Sequence, residues 1–269
     1  MDQYIHGYEA EEQKRLAQLN DLLNHRCLTK MRLEKGQKVL DVGSGLGMFS
    51  RMMADAVGPS GMVVGIEKSE EQLTQASQWS SGIDHLQFRQ GDAYSLPLER
   101  KEVGFYDVTH TRFLLEHVRT PLQVVRELFR ATKPGGRILL LDDDHLRFTL
   151  YPELPAFDSI WSAYLGSYEV LGNDPYVGRK LVGLLADVGC GRIHNDFVFF
   201  GSNAREPEFH FYVQNLCAII EQARPVILSH ELLEEALLDQ GLKALQNWQM
   251  HPHATIWYQI CWAEGIKPE

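Results

Sequence analysis

Three acids in the first part of the chain sit where short apolar runs end. Asp41 closes Val39-Leu40-Asp41 and is followed at once by Gly43-x-Gly45-x-Gly47; Glu67 closes Met62 to Glu67; Asp92 follows Gly91 after Leu86 to Arg89. Alternate glycines leave a backbone bare enough for a ligand to approach it closely. The spacing narrows which ligand. Met48 stands where the dinucleotide fingerprint G-x-G-x-x-G needs its last glycine, and no Gly-Lys-Ser/Thr follows, so neither phosphate-binding loop is met. An acid just before the loop would repel a pyrophosphate and suits a ligand that carries an ammonium or sulfonium group. Glu67 lies about twenty residues past the loop, where an acid accepts bonds from both ribose hydroxyls in nucleoside-binding α/β folds. A solvated acid opening a helix is the other reading. Asp92 can accept a bond from an exocyclic amine such as adenine N6, or can be an ordinary turn aspartate.

Acids can act as a set only if strands end side by side, and the chain provides the pattern for that. From Lys38 onward apolar runs and helical stripes alternate. Strands are expected at 38–42, 62–67, 86–89, 105–110 and 137–141, with helices between them. Ser69 with Gln72, and Thr120-Pro121 with Gln123, read as capping boxes, and Lys133-Pro134-Gly135-Gly136 stops the second of those helices. Such alternation predicts a parallel sheet covered on both faces. Beyond residue 145 an aromatic helical stripe runs from Phe157 to Leu171, and another helix follows Pro175. A strand at 193–200, helices at about 206–222 and 230–247, and a last strand at 255–262 complete the chain. Ahead of the sheet, residues 9–28 read as an amphipathic helix, and Tyr4 to Tyr8 as a lid over the cofactor or an unstructured end.

Val39 to Gly47, Val64 to Ser69, Gly91-Asp92-Ala93, Tyr106-Asp107-Val108 and Lys133 to Gly136 together resemble the successive motifs of the class I S-adenosylmethionine-dependent methyltransferases, in particular the branch acting on quinones, sterols and other small molecules. The resemblance covers roughly residues 36–145. It implies an α/β, Rossmann-like fold: a mostly parallel seven-stranded sheet with an antiparallel last strand and a helical cap. It implies S-adenosyl-L-methionine as cofactor. By the same resemblance Gly43 and Gly45 approach the methionyl part, Asp41 helps hold its amino end through the loop, Glu67 takes the ribose, and Asp92 with the Ala93 amide reads the adenine. Ser44, Lys68 and Thr111 complete the cofactor set.

Methyl transfer from a sulfonium needs a nucleophile held close and in line, and a base only when the acceptor arrives protonated. At the end of the fourth strand His110, Thr111, Arg112 and Phe113 would lie beside the reactive methyl. Arg112 and His117 are the catalytic candidates, each with a structural alternative: a surface ion pair for Arg112 and local packing for His117. Trp161, Tyr164 and Tyr168 are candidates for the acceptor pocket, although an aromatic stripe can equally be core. The acids Asp142-Asp143-Asp144, ahead of His145, are expected on an exposed loop, and no metal site is assigned.

One domain is expected over 1–269: an N-terminal helix or lid at 1–35, a cofactor half at 36–145, a sixth strand with cap insertions at 146–250, and the last strand at 251–269. With 44% apolar and 23% charged residues the 269-residue chain can bury a full core. A net charge of -10 disfavours nucleic acid as a partner. No segment reaches the length of a membrane span, and the four cysteines form no C-x-x-C pair, so reduced thiols and a cytoplasmic location are expected. The partner expected is a small-molecule methyl acceptor; the oligomeric state is left open. Two other classes fit less of the sequence: a non-catalytic cofactor-binding or regulatory protein, and a nicotinamide-dependent oxidoreductase.

Overall fold

The computed structural model describes residues 23–269. The expected Tyr4–Tyr8 lid and the first part of the 9–28 helix lie outside the described residues. A helix described over 23–31 (α1) leads into β1 (Lys38–Val42), α2 (Met48–Val57), β2 (Met62–Glu67), α3 (Glu70–Trp79), β3 (Leu86–Gln90), β4 (Tyr106–Arg112), α4 (Pro121–Ala131) and β5 (Thr132–Asp143). Then come β6 (Thr149–Tyr151), α5 (Pro155–Leu171), α6 (Leu181–Asp187), β7 (Gly191–Phe199), β8 (Ser202–Asn203), α7 (Phe209–Ser229), α8 (Glu235–Trp248), β9 (Thr255–Trp257) and β10 (Gln259–Ile266).

Seven strands form one sheet in the order β3-β2-β1-β4-β5-β10-β7. β1 to β5 pair in parallel, and β10 runs antiparallel to both β5 and β7. This is the mostly parallel, seven-stranded arrangement expected. Strand order turns back between β1 and β4, which opens a crevice beyond their carboxyl ends. Alternate residues of the central strands feed two cores. Val39, Leu139 and Leu141 face α1, α2 and the cap, while Leu40, Val42 and Leu140 face α4 and α6.

The two expected capping boxes have different outcomes. Ser69 Oγ accepts from the Gln72 amide (3.3 Å) at the start of α3. Thr120 makes no such bond at α4; Gln123 Nε2 instead donates to the Tyr94 carbonyl (3.3 Å), tying α4 to the loop after β3. Three boundaries differ from expectation because tertiary partners override local pattern. The run 255–262 is two strands: β9 joins β6 and β8 in a separate three-stranded sheet, and only from Ile260 does the chain lie along β5. α7 continues through Pro225 to Ser229, because Ile219, Ile220, Ala223 and Ile227 keep one buried stripe across the proline. β6 carries too few residues to be read as a strand without β9 beside it.

The cap consists of α5, α7 and α8, with α5 packed on both of the others. At the α5–α8 contact a Cβ on Gly241 would come within 2.3 Å of Ile160 Cγ2, so the glycine permits that close approach. Among the described residues no helix is long and apolar enough to cross a membrane.

Candidate active site

The glycine turn is stitched to β2. The Gly43 and Ser44 amides donate to the Ile66 carbonyl (2.9 and 3.1 Å), and the Gly45 amide donates to Glu67 Oε2 (2.9 Å). Gly45 has φ +55°, in the left-handed region that strains side chains with a Cβ. Gly47, also left-handed at φ +73°, has a second reason to be glycine. A Cβ there would lie 2.4 Å from Phe88 Cζ and 2.9 Å from Ala76 Cβ, so this third glycine lets α2 start against β3 and α3 rather than against a ligand.

The three acids meet one cavity of about 450 Å³, whose lining includes Asp41, Gly43, Ser44, Gly45, Glu67, Lys68, Asp92, Ala93, His110 and Arg112. Their carboxylates are already engaged. Glu67 Oε1 accepts from the Lys68 and Ser69 amides (2.8 Å each) in addition to the Gly45 bond on Oε2. With three of about four acceptor positions used, one remains for a ligand hydroxyl rather than two. Asp92 accepts from the Tyr94 amide (2.9 Å) and pairs with Lys68 Nζ (3.0 Å). Its partial burial pushes the carboxyl up, but the Tyr94 and Lys68 bonds outweigh this and hold it below the usual aspartate value. Asp41 is buried; Oδ2 accepts from Ser50 Oγ (2.6 Å) and Oδ1 from His110 Nδ1 (2.8 Å). A carboxylate only accepts, so the proton of this bond is on Nδ1, and Nε2 is the ring nitrogen left free of Asp41. Asp41 is thus bonded to both Ser50 and His110 while also lining the cavity.

His110 Nε2 and Ser44 Oγ are buried and meet no hydrogen-bond partner among the described residues. Bare glycine backbone, two unsatisfied polar atoms and acids at the strand ends fit a nucleoside that carries an ammonium group and a sulfonium. Arg112 lies over Phe49 (4.3 Å to the ring centroid), and Nη2 donates to Asn24 Oδ1 (2.9 Å), so it clamps α1 beside this cavity. Thr111 is a correction: its side chain is fully buried, its hydroxyl donates to the Val42 carbonyl (2.9 Å), and it does not line the cavity. Strand alternation puts it on the face opposite His110 and Arg112.

A second cavity, of about 120 Å³, meets the first along Phe113 and His117, which line both. Trp161, Tyr164 and Tyr168 from α5 are in its wall, together with Phe148, Phe200, Tyr212 and Tyr258. The stripe is thus buried core and cavity lining at once. His117 is stacked on Tyr168 (centroids 5.6 Å apart, 24° between planes), with Nε2 3.6 Å from Glu116 Oε1.

The acids at the end of β5 are buried, not on an exposed loop as expected. Each faces a different way. Asp142 Oδ2 accepts from the Leu114 and Leu115 amides (3.2 and 2.8 Å), and Asp144 is gripped by Arg179 through two bonds (2.6 and 2.9 Å). Asp143 turns into the aromatic cavity beside Glu116 and His145, their ligating atoms all within 4.8 Å of one another. His145 Nε2 and Glu116 Oε2 share a 2.9 Å hydrogen bond, and Nδ1 pairs with the Tyr258 hydroxyl at 3.2 Å. Burial pushes the Glu116 carboxyl up to about 8; burial, reinforced by the Glu116 charge, does the same to Asp143; and burial pushes the His145 imidazole down. Sequence reasoning gave Glu116, Asp143 and Tyr258 no site role and expected Asp143 on an exposed loop. The signal for the first was its place in Leu115-Glu116-His117, and for the second an acid at the carboxyl end of a central strand.

This sheet order, with a glycine turn after β1 and acids ending β1 and β2, defines a class I methyltransferase fold. Residues 33–162, just under half of the chain, match the family model described as a methyltransferase domain. A demethylmenaquinone methyltransferase of Staphylococcus epidermidis is 32% identical over 137 residues, covering 51% of this chain and 53% of its own. The chain thus spans about half the length of that relative. In fold, the YcgJ protein of Bacillus subtilis superposes with a TM-score of 0.58 at 17% identity, covering 91% of this chain and 98% of its own. A Haemonchus contortus phosphoethanolamine N-methyltransferase, solved with phosphomonomethylethanolamine and S-adenosylhomocysteine, does so with a TM-score of 0.55 at 17% identity, covering 91% and 53%.

Proposed function

We propose that the chain transfers a methyl group from S-adenosylmethionine to a small acceptor seated in the aromatic cavity, with residues 36–145 holding the cofactor and 146–250 covering the acceptor. The observation that carries this reading is the shared wall: a nucleoside-sized cavity and an aromatic one meet at Phe113 and His117. When bound, the cofactor supplies a methyl group on a positively charged sulfur, already activated for in-line displacement.

The chain's own residues then bind, orient and exclude water. Glu67 offers its remaining acceptor position to the ribose, and the Asp92 turn presents Asp92 and Ala93 to the base. His110 Nε2, fixed by Asp41, accepts from the cofactor's ammonium, and Ser44 Oγ gains a partner. Phe113 and His117 form the boundary at which the acceptor meets the methyl group. The closed aromatic wall from α5 keeps water from that boundary, so positioning supplies much of the rate. Arg112 serves as a clamp on α1 rather than as a holder of substrate anions.

The test is calorimetric titration with S-adenosylhomocysteine, followed by transfer of a labelled methyl group to a panel of small acceptors. Binding of S-adenosylhomocysteine but not NAD, with labelled product, is the expected result. Tight binding with no transfer across the panel would favour a cofactor-binding regulator instead.

A further inference from the structure

We propose that the acceptor is a small primary or secondary amine, held as its ammonium by Glu116 and Asp143 inside the aromatic cavity. This rests on the methyl-transfer reading above and adds the chemistry of the substrate. Four observations converge on it. Two carboxyl groups line a cavity whose remaining wall is mostly aromatic, and among the described residues neither Lys nor Arg lines it. Asp143 Oδ1 is buried and meets no hydrogen-bond partner among the described residues, so in the ionised form it is an acceptor open to a donor. The rings of Trp161, Tyr164 and Tyr168 lie 5.5 to 5.9 Å from the His145 ring, so their π faces and edges crowd the acidic cluster. The cluster also shares a cavity with His117 and Phe113, at the boundary with the cofactor.

Only a cation suits all four. A neutral acceptor satisfies Asp143 Oδ1 only where it offers its own O–H or N–H, and it brings no charge to the two carboxyls and the aromatic faces. An anion would face two acids. An ammonium brings two or three N–H donors for the carboxylates and a charge for the aromatic faces. Burial alone favours neutral carboxyls here, and an incoming cation reverses that balance by supplying the opposite charge. A cavity of about 120 Å³ has room for roughly half a dozen heavy atoms, somewhat less than one that holds benzene.

An ammonium has no lone pair, so the cluster must also take a proton. The bound ammonium gives one proton to the Glu116 carboxylate. The freed nitrogen lone pair forms the new N–C bond while the C–S electron pair stays with the sulfur. The methylated nitrogen then carries the positive charge and remains paired with Asp143. His145, bonded to both Glu116 and Tyr258, positions the Glu116 carboxyl.

The test is a calorimetric titration of the protein with n-butylamine, n-butanol and butyrate, three probes of similar size and different charge, each with and without S-adenosylhomocysteine. Butylamine should bind at least tenfold more tightly than either of the others. Glu116→Gln and Asp143→Asn should each remove most of that preference while leaving S-adenosylhomocysteine affinity within twofold. Equal or tighter binding of butanol or butyrate to the wild-type protein overturns the proposal, whether or not the variants fold. Stoichiometric binding of Mn²⁺ that Asp143→Asn abolishes, with no preference for the amine, overturns it in favour of a metal site. Failure of S-adenosylhomocysteine to bind at all would defeat the methyl-transfer reading instead, so the two failures are distinguishable.

Discussion

The two cavities treat their acids in opposite ways. Glu67 is ringed by three backbone amides and Asp92 by an amide and a lysine, all supplied by residues adjacent in sequence or one strand away. Glu116 and Asp143 have had water replaced by aromatic rings, an imidazole and hydroxyls drawn from α5, from Tyr258 between β9 and β10, and from the segments after β4 and β5. The first arrangement stabilises charge before a ligand arrives; the second makes charge costly until a ligand brings its own. A site of the first kind can bind the same cofactor throughout a family. A site of the second kind selects, because only a molecule of complementary charge removes the burial penalty.

The contrast can be broken most sharply by pH. Glu116 and Asp143 have folded-state pKa values of about 8, above their ordinary values of 4.5 and 3.8. Between those limits these two groups hold more protons in the folded protein than in the unfolded chain, so their contribution to stability is greatest below about pH 4 and is lost as pH rises toward 8. The buried His145, whose imidazole is pushed down, opposes this below about pH 6.5. Each such group contributes a slope of up to about 1.4 kcal/mol per pH unit. Denaturant melts of the ligand-free protein at pH 5, 6, 7 and 8 should show this decline, and Glu116→Gln should flatten it. A wild-type curve level across that range would contradict the burial argument.

Gly47→Ala should cost about 2–4 kcal/mol of stability, from left-handed strain and from overpacking against Phe88 and Ala76. A Tm unchanged within a degree would show that this glycine is not needed for packing. Asp92→Ala should weaken S-adenosylhomocysteine binding by about 1–3 kcal/mol and leave the aromatic cavity's ligands unaffected. Glu67→Ala should do the same with some loss of stability as well, since the Gly45, Lys68 and Ser69 amides lose their acceptor. Calorimetry on both variants checks this, and unchanged affinity in both would remove the cofactor assignment. The smallest effect is expected from Tyr168→Phe, which deletes the hydroxyl bonded to Tyr164 (2.9 Å). It should alter acceptor affinity by about 0.5–1.5 kcal/mol without moving S-adenosylhomocysteine affinity. The reverse pattern would place Tyr168 on the cofactor side.

Most of the cofactor half was legible in the residues because its geometry is local. A strand, a glycine turn and a helix within twenty residues fix Asp41, Gly43 and Gly45, and the parallel register places Glu67 beside them. The error there, Thr111, came from counting along a strand without assigning its two faces. The aromatic cavity was legible only in part. The aromatic stripe predicted α5, and Trp161, Tyr164 and Tyr168 do line the second cavity, but Asp143 was read as exposed although it is buried. An acid's burial depends on what covers it, and α5, α6 and β10 reach Asp142 to Asp144 from far along the chain. The same reason explains why 255–262 divides between two sheets.

By itself, then, the sequence determined the alternating strands and helices, the glycine turn and the acids at its strand ends, because these follow from periodicity and short-range backbone chemistry. Tertiary structure alone decided that Asp41 is bonded to His110, that Gly47 serves packing, and that Glu116, Asp143 and His145 meet inside an aromatic wall. Those outcomes depend on side chains separated by tens of residues being brought within a few ångströms, and no local pattern encodes that distance.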